Sequence, residues 1–379
     1  MPAAFPTLLD RFKSQGPKRI LSLDGGGIRG ALTLGYLEKI ESVLRDRYNN
    51  PKLVLSDYFD LIGGTSTGAI IAASLAIGKS AAEVKEKYLQ LGGEIFGDKK
   101  GFLGIYLNYK YNEAPLKKAL KEMFGDIKIG DEGETGIKTG LCIVTKRLDT
   151  FSTWPVCNHP QAKYFAVNQF LLRDFVRAST AAPSYFIPEI VDVGKGETGT
   201  FVDGGLSMMN NPSFQLFLMT TLKGFPFHWL TGKNNMLIIS VGTGRRDVKL
   251  LGKEYKNPNL ITTAKMAPEQ FMHDASELVE LMMQYLSESP TAREIDREVG
   301  NLQGDIINGT ESFSYNRYNV NLDKNSLIAA GITNLSDEQI KALTEMDDAD
   351  NRFLLADIGT KAADRQVSKD HFPVAFDVN

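Results

Sequence analysis

Three observations predict an α/β fold, a sandwich built around a largely parallel sheet. Strand-like and helical segments alternate through roughly the first 245 of the 379 residues, the pattern of chains whose helices cross over a parallel sheet. Two short apolar runs, 18–23 and 235–241, stop at the glycine-containing turns Asp24-Gly25-Gly26-Gly27 and Gly242-Thr243-Gly244. Hydrophobic residues make up 42% of the chain and charged residues 23%, enough apolar surface for a sizeable core.

The elements follow in order. Residues 18–23 alternate and are rich in Ile and Leu, a first strand. Residues 31–48 place Leu34, Leu37, Ile40 and Leu44 at helical spacing. A second short strand is expected at 58–62, a buried helix at 69–77 and a further helix at 81–91. Residues 101–111 are rich in glycine and aromatics and read as an irregular loop. An amphipathic helix carrying Lys117, Lys118 and Lys121 spans 113–124, a strand 139–146, a helix 171–180 and a strand 199–202. Beyond about 250 the pattern changes. Residues 269–286 form one Met-rich amphipathic helix. Another begins at Ser336, where Gln339 completes a capping box and Leu335 faces Ile340 as a staple. The expected organisation is a core over 1–250 and a mainly helical extension over 251–379 packed on it. No internal repeat or low-complexity run is present.

The net charge of −3 gives no electrostatic reason to expect a nucleic acid polymer as partner. Cys142 and Cys157 have no metal-ligand spacing and are expected to be reduced, partly buried thiols. The first nineteen residues carry charges without an apolar stretch between them, so no secretory signal is read there and a cytoplasmic protein is expected. Residues 61–78 are uncharged and approach the length of a membrane span. Their early glycines favour a strand, a tight turn and a buried helix instead.

Three constellations carry chemistry. Gly64-Thr65-Ser66-Thr67-Gly68 is a G-x-S-x-G between a strand and a helix. Such a turn holds its serine in a strained conformation at a helix N-terminus, where the dipole favours developing negative charge; the plainer alternative is a turn of small residues. Between Gly25 and Gly30 the chain satisfies G-x-G-x-x-G, the dinucleotide fingerprint. The acidic residues at the right distance, Glu38, Glu41 and Asp46, fall on the predicted helix rather than at a strand end, which weakens that reading. The other reading is an oxyanion hole of glycine N–H groups, with Arg29 adding charge or pairing with a helix carboxylate. Asp203-Gly204-Gly205 follows a strand, and alone is a common turn. The four histidines, His159, His228, His273 and His371, do not lie where a triad base belongs. A desolvated carboxylate can take a serine proton, so a Ser66–Asp203 dyad is chemically reasonable.

Asp24-Gly-Gly-Gly-Ile-Arg-Gly30, Gly64-Thr-Ser-Thr-Gly68 and Asp203-Gly-Gly205 together resemble the patatin-like phospholipase family. So do Arg177-Ala-Ser-Thr-Ala-Ala-Pro-Ser-Tyr-Phe186, Asn210-Asn211-Pro212 and Ser240-Val-Gly-Thr-Gly244, a resemblance running from about Lys18 to about Arg246. It implies a three-layer α/β/α sandwich and metal-free, cofactor-free hydrolysis of fatty-acyl esters through an acyl-enzyme. Ser66 takes the nucleophile role, Asp203 the base role, and Gly25, Gly26 and Gly27 the oxyanion hole; Arg29, Gly64, Gly68, Gly204 and Gly205 support them. An acyltransferase on the same dyad and a nucleotide-binding signalling module are the alternatives.

Membrane phospholipids or other acyl lipids are the expected partners. Some bacterial members of the family are switched on by cyclic nucleotides, so the resemblance allows such an activator. Phe102, Leu103, Ile105, Tyr106 and Leu107, flanked by Lys99, Lys100 and Lys110, read either as a lid or membrane-dipping loop at the bilayer surface or as a loop folded on the core. The 269–286 helix reads as core packing, or as the face of a homo-oligomer or a mobile cap.

Overall fold

The protein was described from a computed structural model covering residues 7–97, 109–162, 169–183, 185–194, 196–246, 260–294 and 302–378, without the side chains of 97 and 260–269. The aromatic stretch 102–107 and its flanking Lys99 and Lys100 lie outside the described residues.

Among the described residues nine strands form one sheet. They are β1 (Lys18–Leu23), β2 (Leu61–Thr65), β3 (Gly140–Arg147), β4 (Thr153–Cys157), β5 (Glu189–Gly194), β6 (Glu197–Asp203), β7 (Met236–Val241), β8 (Ser287–Glu288) and β9 (Phe313–Tyr318). Their order is β5-β6-β3-β2-β1-β7-β9-β8, with β4 also paired to β3. The run from β3 through β2, β1, β7 and β9 to β8 is parallel. β4 and β6 are antiparallel to β3, and β5 is antiparallel to β6. The helices are α1 (Leu8–Lys13), α2 (Gly30–Tyr48), α3 (Leu55–Tyr58), α4 (Thr67–Ala76), α5 (Ala81–Gly97), α6 (Ala114–Phe124), α7 (Leu172–Ser179), α8 (Ser213–Thr221), α9 (Leu260–Tyr285), α10 (Lys324–Ala329), α11 (Asp337–Leu343) and α12 (Arg352–Gln366).

Every residue of β1, β2, β7 and β9 is buried, as parallel strands covered on both faces must be. Alternation along each strand divides the core in two. Leu21, Leu23, Ile62, Ile239 and Val241 pack with Leu34, Leu37 and Ile40 of α2 and Ile71 and Leu75 of α4. Ile20, Leu61, Ile238 and Tyr315 pack instead with Leu216 and Met219 of α8 and Val279 and Met283 of α9. Helices therefore cover both faces, giving three layers. The uncharged stretch 61–78 is β2, its turn and α4, and no helix among the described residues is long and apolar enough to cross a membrane. Cys142 and Cys157 face each other across β3 and β4 as free, buried thiols.

The structure adds β4, β5 and α8, which the sequence reading did not place, and differs from it in two further respects. The strand expected at 58–62 begins at Leu61 instead, because Asp60 turns its carboxylate to Arg19 (2.8 and 2.9 Å) and Arg11, and residues before it close the helical turn α3. Beyond 250 the chain is not only helical: β9 pairs in parallel with β7, and β8 with β9. The predicted capping box is present, with Ser336 Oγ accepting from Gln339 N–H and Gln339 Oε1 from Ser336 N–H.

α12 lies directly on α2 because glycines let the two backbones touch. A Cβ added at Gly359 would stand 2.1 Å from the Leu32 carbonyl oxygen, and one at Gly35 would stand 2.3 Å from the Thr360 nitrogen. Overpacking at such a contact costs about 1–3 kcal/mol. Gly359→Val is therefore expected to lower unfolding stability by about 1–3 kcal/mol in a denaturant titration; an unchanged midpoint would mean that α12 is not integral to the sandwich.

Candidate active site

The site forms where β2 runs into α4. Ser66 occupies that turn at φ 55° and ψ −124°, a backbone region that costs a non-glycine residue energy and persists only where its surroundings impose it. Gly64 and Gly68 make room for it here. A Cβ at Gly64 would lie 2.1 Å from Gly68 O, and one at Gly68 would lie 2.3 Å from Leu23 O. No larger residue fits either place without moving backbone. Ser66 N–H donates to Ser179 Oγ at 2.9 Å, and the Ser179 hydroxyl donates to Val144 O at 2.6 Å, so α7 and β3 brace the turn.

Strand register brings Asp203 to the serine. β2 pairs with β3 up to Thr65↔Val144, and β6 takes up the next β3 residue with Asp203↔Thr145. Ser66 Oγ donates to Asp203 Oδ2 at 2.5 Å, and Gly205 N–H donates to Asp203 Oδ1 at 2.7 Å. Asp203 is 5% exposed, and no cation pairs with it among the described residues. Burial pushes its pKa up to about 6, against the opposing pull of the bonds from Ser66 and Gly205. Gly204 fits beneath because a Cβ there would lie 2.3 Å from Val144 O.

The four histidines are engaged elsewhere. His159 stacks on Phe12, and burial pushes its pKa down to about 4. His371 shares a hydrogen bond with Tyr318 Oη, His228 Nε2 lies 3.4 Å from Lys223 O, and His273 stands beside Asp274.

The loop Asp24–Gly30 lies across from the serine, and its three glycines are not equivalent. Gly25 N–H donates to Asn210 O at 3.1 Å, which removes it from the set of oxyanion donors that the sequence suggests. Its place is steric: a Cβ on Gly25 would meet Asn210 Oδ1 at 2.5 Å and Ser66 Cβ at 3.1 Å. Among the described residues no acceptor takes the N–H of Gly26 or Gly27, and both glycines line the cavity over Ser66. Arg29 closes the turn, its backbone N–H donating to Gly26 O at 3.2 Å. Its guanidinium folds back on the same loop, with Nε 3.5 Å from Gly26 O.

The acidic residues that a dinucleotide site would use lie on α2, where Glu38 and Glu41 are engaged. Glu41 accepts from Ala81 N–H and pairs with Arg45, while Glu38 pairs with Lys85. Gly27 lies so close to Met346 that an added Cβ would stand 2.1 Å from its carbonyl oxygen. Among the described residues no group of three His, Cys, Asp or Glu side chains stands close enough to hold a metal ion.

A cavity of about 520 Å³ opens over Ser66 and Asp203, walled by apolar side chains such as Ile70, Leu91, Ile95, Leu120 and Phe186. Met272 from α9 and Met346 from the turn after α11 also line it, so residues beyond 250 take part in the site. Sequence reasoning assigned these two no role, nor Ser179 and Tyr88. Ser179 lies within the 177–186 block and could have been singled out from it; the other three carry no local signal.

Known proteins resemble this chain over more than half of its length. The family model for patatin-like phospholipases matches residues 21–216, more than half of the chain. A protein named cGAMP-activated phospholipase from Vibrio cholerae serotype O1 is 33% identical over 248 residues, covering 62% of this chain and 65% of its own length. Another of that name, from Escherichia coli strain TW11681, is 31% identical over 61% of this chain and 64% of its own length. The chain thus spans a little under two thirds of both bacterial relatives. Patatin-2-Kuras 4 of Solanum tuberosum is 27% identical over 371 residues, covering 93% of this chain and 87% of that protein. With its serine turn, its aspartate and its glycine loop brought to one cavity, the chain belongs to the patatin-like phospholipase family.

Proposed function

We propose that this protein is a lipid acyl hydrolase that cleaves fatty-acyl esters of phospholipids through a Ser66–Asp203 dyad. The observation that carries this reading is the 2.5 Å hydrogen bond from Ser66 Oγ to Asp203 Oδ2 at the floor of an apolar cavity. Asp203 takes the hydroxyl proton as Oγ attacks the ester carbonyl carbon. The oxyanion is received by the N–H groups of Gly26 and Gly27. On collapse the ester C–O bond breaks, and Asp203 returns the proton to the leaving alkoxide. Water then attacks the acyl-enzyme and gives its proton to Asp203; the fatty acid leaves, and the proton passes back to Ser66. A carboxyl raised to about 6 by burial is ionised near neutral pH yet more basic than an exposed aspartate, which suits this task.

Ser66→Ala and Asp203→Asn are each expected to lower turnover of an acyl ester by at least about a thousandfold, measured with phospholipid and with a soluble ester. The wild-type rate should climb with pH through about 6 and level off above it. Full activity in either variant, or a rate independent of pH across that range, would defeat the dyad. Because relatives are named for activation by cGAMP, the assay is run with and without that cyclic dinucleotide. Stimulation of the wild type alone would extend the reading to a cyclic-nucleotide-activated enzyme.

The same raised pKa makes a stability prediction. An acid whose pKa is higher in the folded state stabilises folding in its protonated form, and that stability is lost as pH rises through the folded value. Asp203→Asn keeps the shape without the charge. It should gain about 3 kcal/mol over wild type at pH 8 and only about 0.5 kcal/mol near pH 4, by denaturant unfolding at both. A variant less stable at pH 8 would contradict a desolvated carboxylate.

Residues around the cavity favour work at a lipid surface. Leu206, Met208 and Phe271 are exposed at 40%, 56% and 73%. Leu206 lines the cavity, and Met272, next to Phe271, reaches within 3.2 Å of the position a Cβ on Gly205 would take. Residues 204–222 carry no charge. Met208→Asp with Phe271→Asp should cut hydrolysis of vesicle phospholipid at least several-fold and leave a soluble short-chain ester unaffected; equal losses on both would reject the peripheral membrane role.

A further inference from the structure

The Gly27 carbonyl accepts from the Gly30 backbone N–H and from two side chains. Tyr88 Oη donates to it at 2.6 Å and Thr67 Oγ1 at 3.0 Å. Across the same peptide, Ile28 N–H donates to Met346 O at 2.8 Å. The 27–28 peptide is thus fixed at both its oxygen and its nitrogen. Gly27 sits at φ +57°, and that torsion sets the direction of the Gly27 N–H relative to the fixed peptide. The preceding peptide is tied as well, by Arg29 N–H on Gly26 O at 3.2 Å.

Tyr88 also belongs to the cavity wall. It lies on α5 with Leu91, Gly92 and Ile95, at the i, i+3, i+4 and i+7 positions that share one helix face, and all four line the cavity. Its ring is buried, and burial pushes the phenol pKa up, so the hydroxyl remains a donor. One side chain therefore touches both the space that takes the acyl group and the peptide next to the N–H groups facing Ser66.

We infer that Tyr88 is a positioning residue for the oxyanion hole: from the wall of the acyl cavity, its hydroxyl holds the Gly27–Ile28 peptide so that the N–H groups of Gly26 and Gly27 meet the oxyanion. This rests on the hydrolase reading of Ser66, Gly26 and Gly27. A hydroxyl that merely satisfies a buried carbonyl would support folding but not distinguish the transition state from the ground state. A positioning hydroxyl does distinguish them, because stronger binding in the transition state raises kcat rather than lowering KM.

Tyr88→Phe keeps the ring in the wall and removes only the donor. Losing an oxyanion donor outright costs roughly 100- to 1,000-fold in kcat, so losing its support should cost less. On a soluble acyl ester kcat is expected to fall roughly 10- to 100-fold with KM within about twofold. Affinity for an acyl trifluoromethyl ketone, which forms an oxyanion adduct on the serine, should fall by a similar factor. Wild-type kcat in the variant, or a raised KM at constant kcat, overturns the inference even if thermal stability drops. Should Tyr88→Phe not fold, Thr67→Val removes the longer of the two side-chain donors and is expected to give the same kcat loss on a smaller scale; an unchanged kcat there overturns the inference too. A wild-type protein that turns over no ester and is not labelled at Ser66 by a fluorophosphonate overturns the hydrolase reading along with this one. Wild-type turnover insensitive to Tyr88→Phe overturns this one alone.

Discussion

Ser66 and Asp203 meet because two strands of opposite direction share a neighbour. β2 leaves β3 at Val144, and β6 arrives at Thr145 from the other direction. The end of one strand and the end of the other therefore face each other at one level of the sheet. Everything else at the site serves that meeting. The glycines at 64 and 68 allow the tight turn, Ser179 ties it to α7 and β3, and the cover of helices keeps water from the carboxylate. Drying out Asp203 raises its basicity and at the same time weakens the fold at neutral pH. Local strain and desolvation of this kind gather at functional sites because the surrounding core over-determines them.

A second constraint reaches the glycine loop from below. Asp24 receives both Arg317 Nη atoms, at 2.8 and 2.5 Å, and Arg317 continues to Glu280 at 3.5 Å. Glu280 also meets Arg245 at 2.7 Å and Arg293 at 2.6 Å, and both arginines reach Glu277. Burial alone would push Glu280 up, yet the surrounding arginines bring it down to about 2. Removing one partner from such a buried set leaves an uncompensated charge, at a cost of about 3–5 kcal/mol. The network thus fixes where Asp24, and the loop that begins with it, sits relative to β9 and α9.

Much of this was legible in the sequence because the signals were local. The apolar run of β1, the period of Leu34, Leu37, Ile40 and Leu44, the G-x-S-x-G turn and the Ser336–Gln339 cap each declare themselves within a few residues. Asp203 was legible only by elimination and resemblance, since nothing in an Asp-Gly turn announces a strand register. β9 was missed although Phe313, Tyr315 and the polar residues between them alternate at strand period. A buried strand carrying Asn316 and Arg317 does not look apolar until its ionic partners are known. The engagement of Gly25 with Asn210 joins positions 185 apart in sequence, and Tyr88 reaches a carbonyl 61 residues before it. Such pairings follow from the completed fold.

The arginine that holds Asp24 lies 293 residues after it, and Met346, which holds Ile28, lies further on still. Loop closure over such distances contributes late and slowly to folding. Both anchors of the glycine loop come from residues beyond 300, far in sequence from the serine turn that the loop faces. Where the Gly26 and Gly27 N–H groups lie therefore depends on the sheet being complete at β9 and on the turn at Met346.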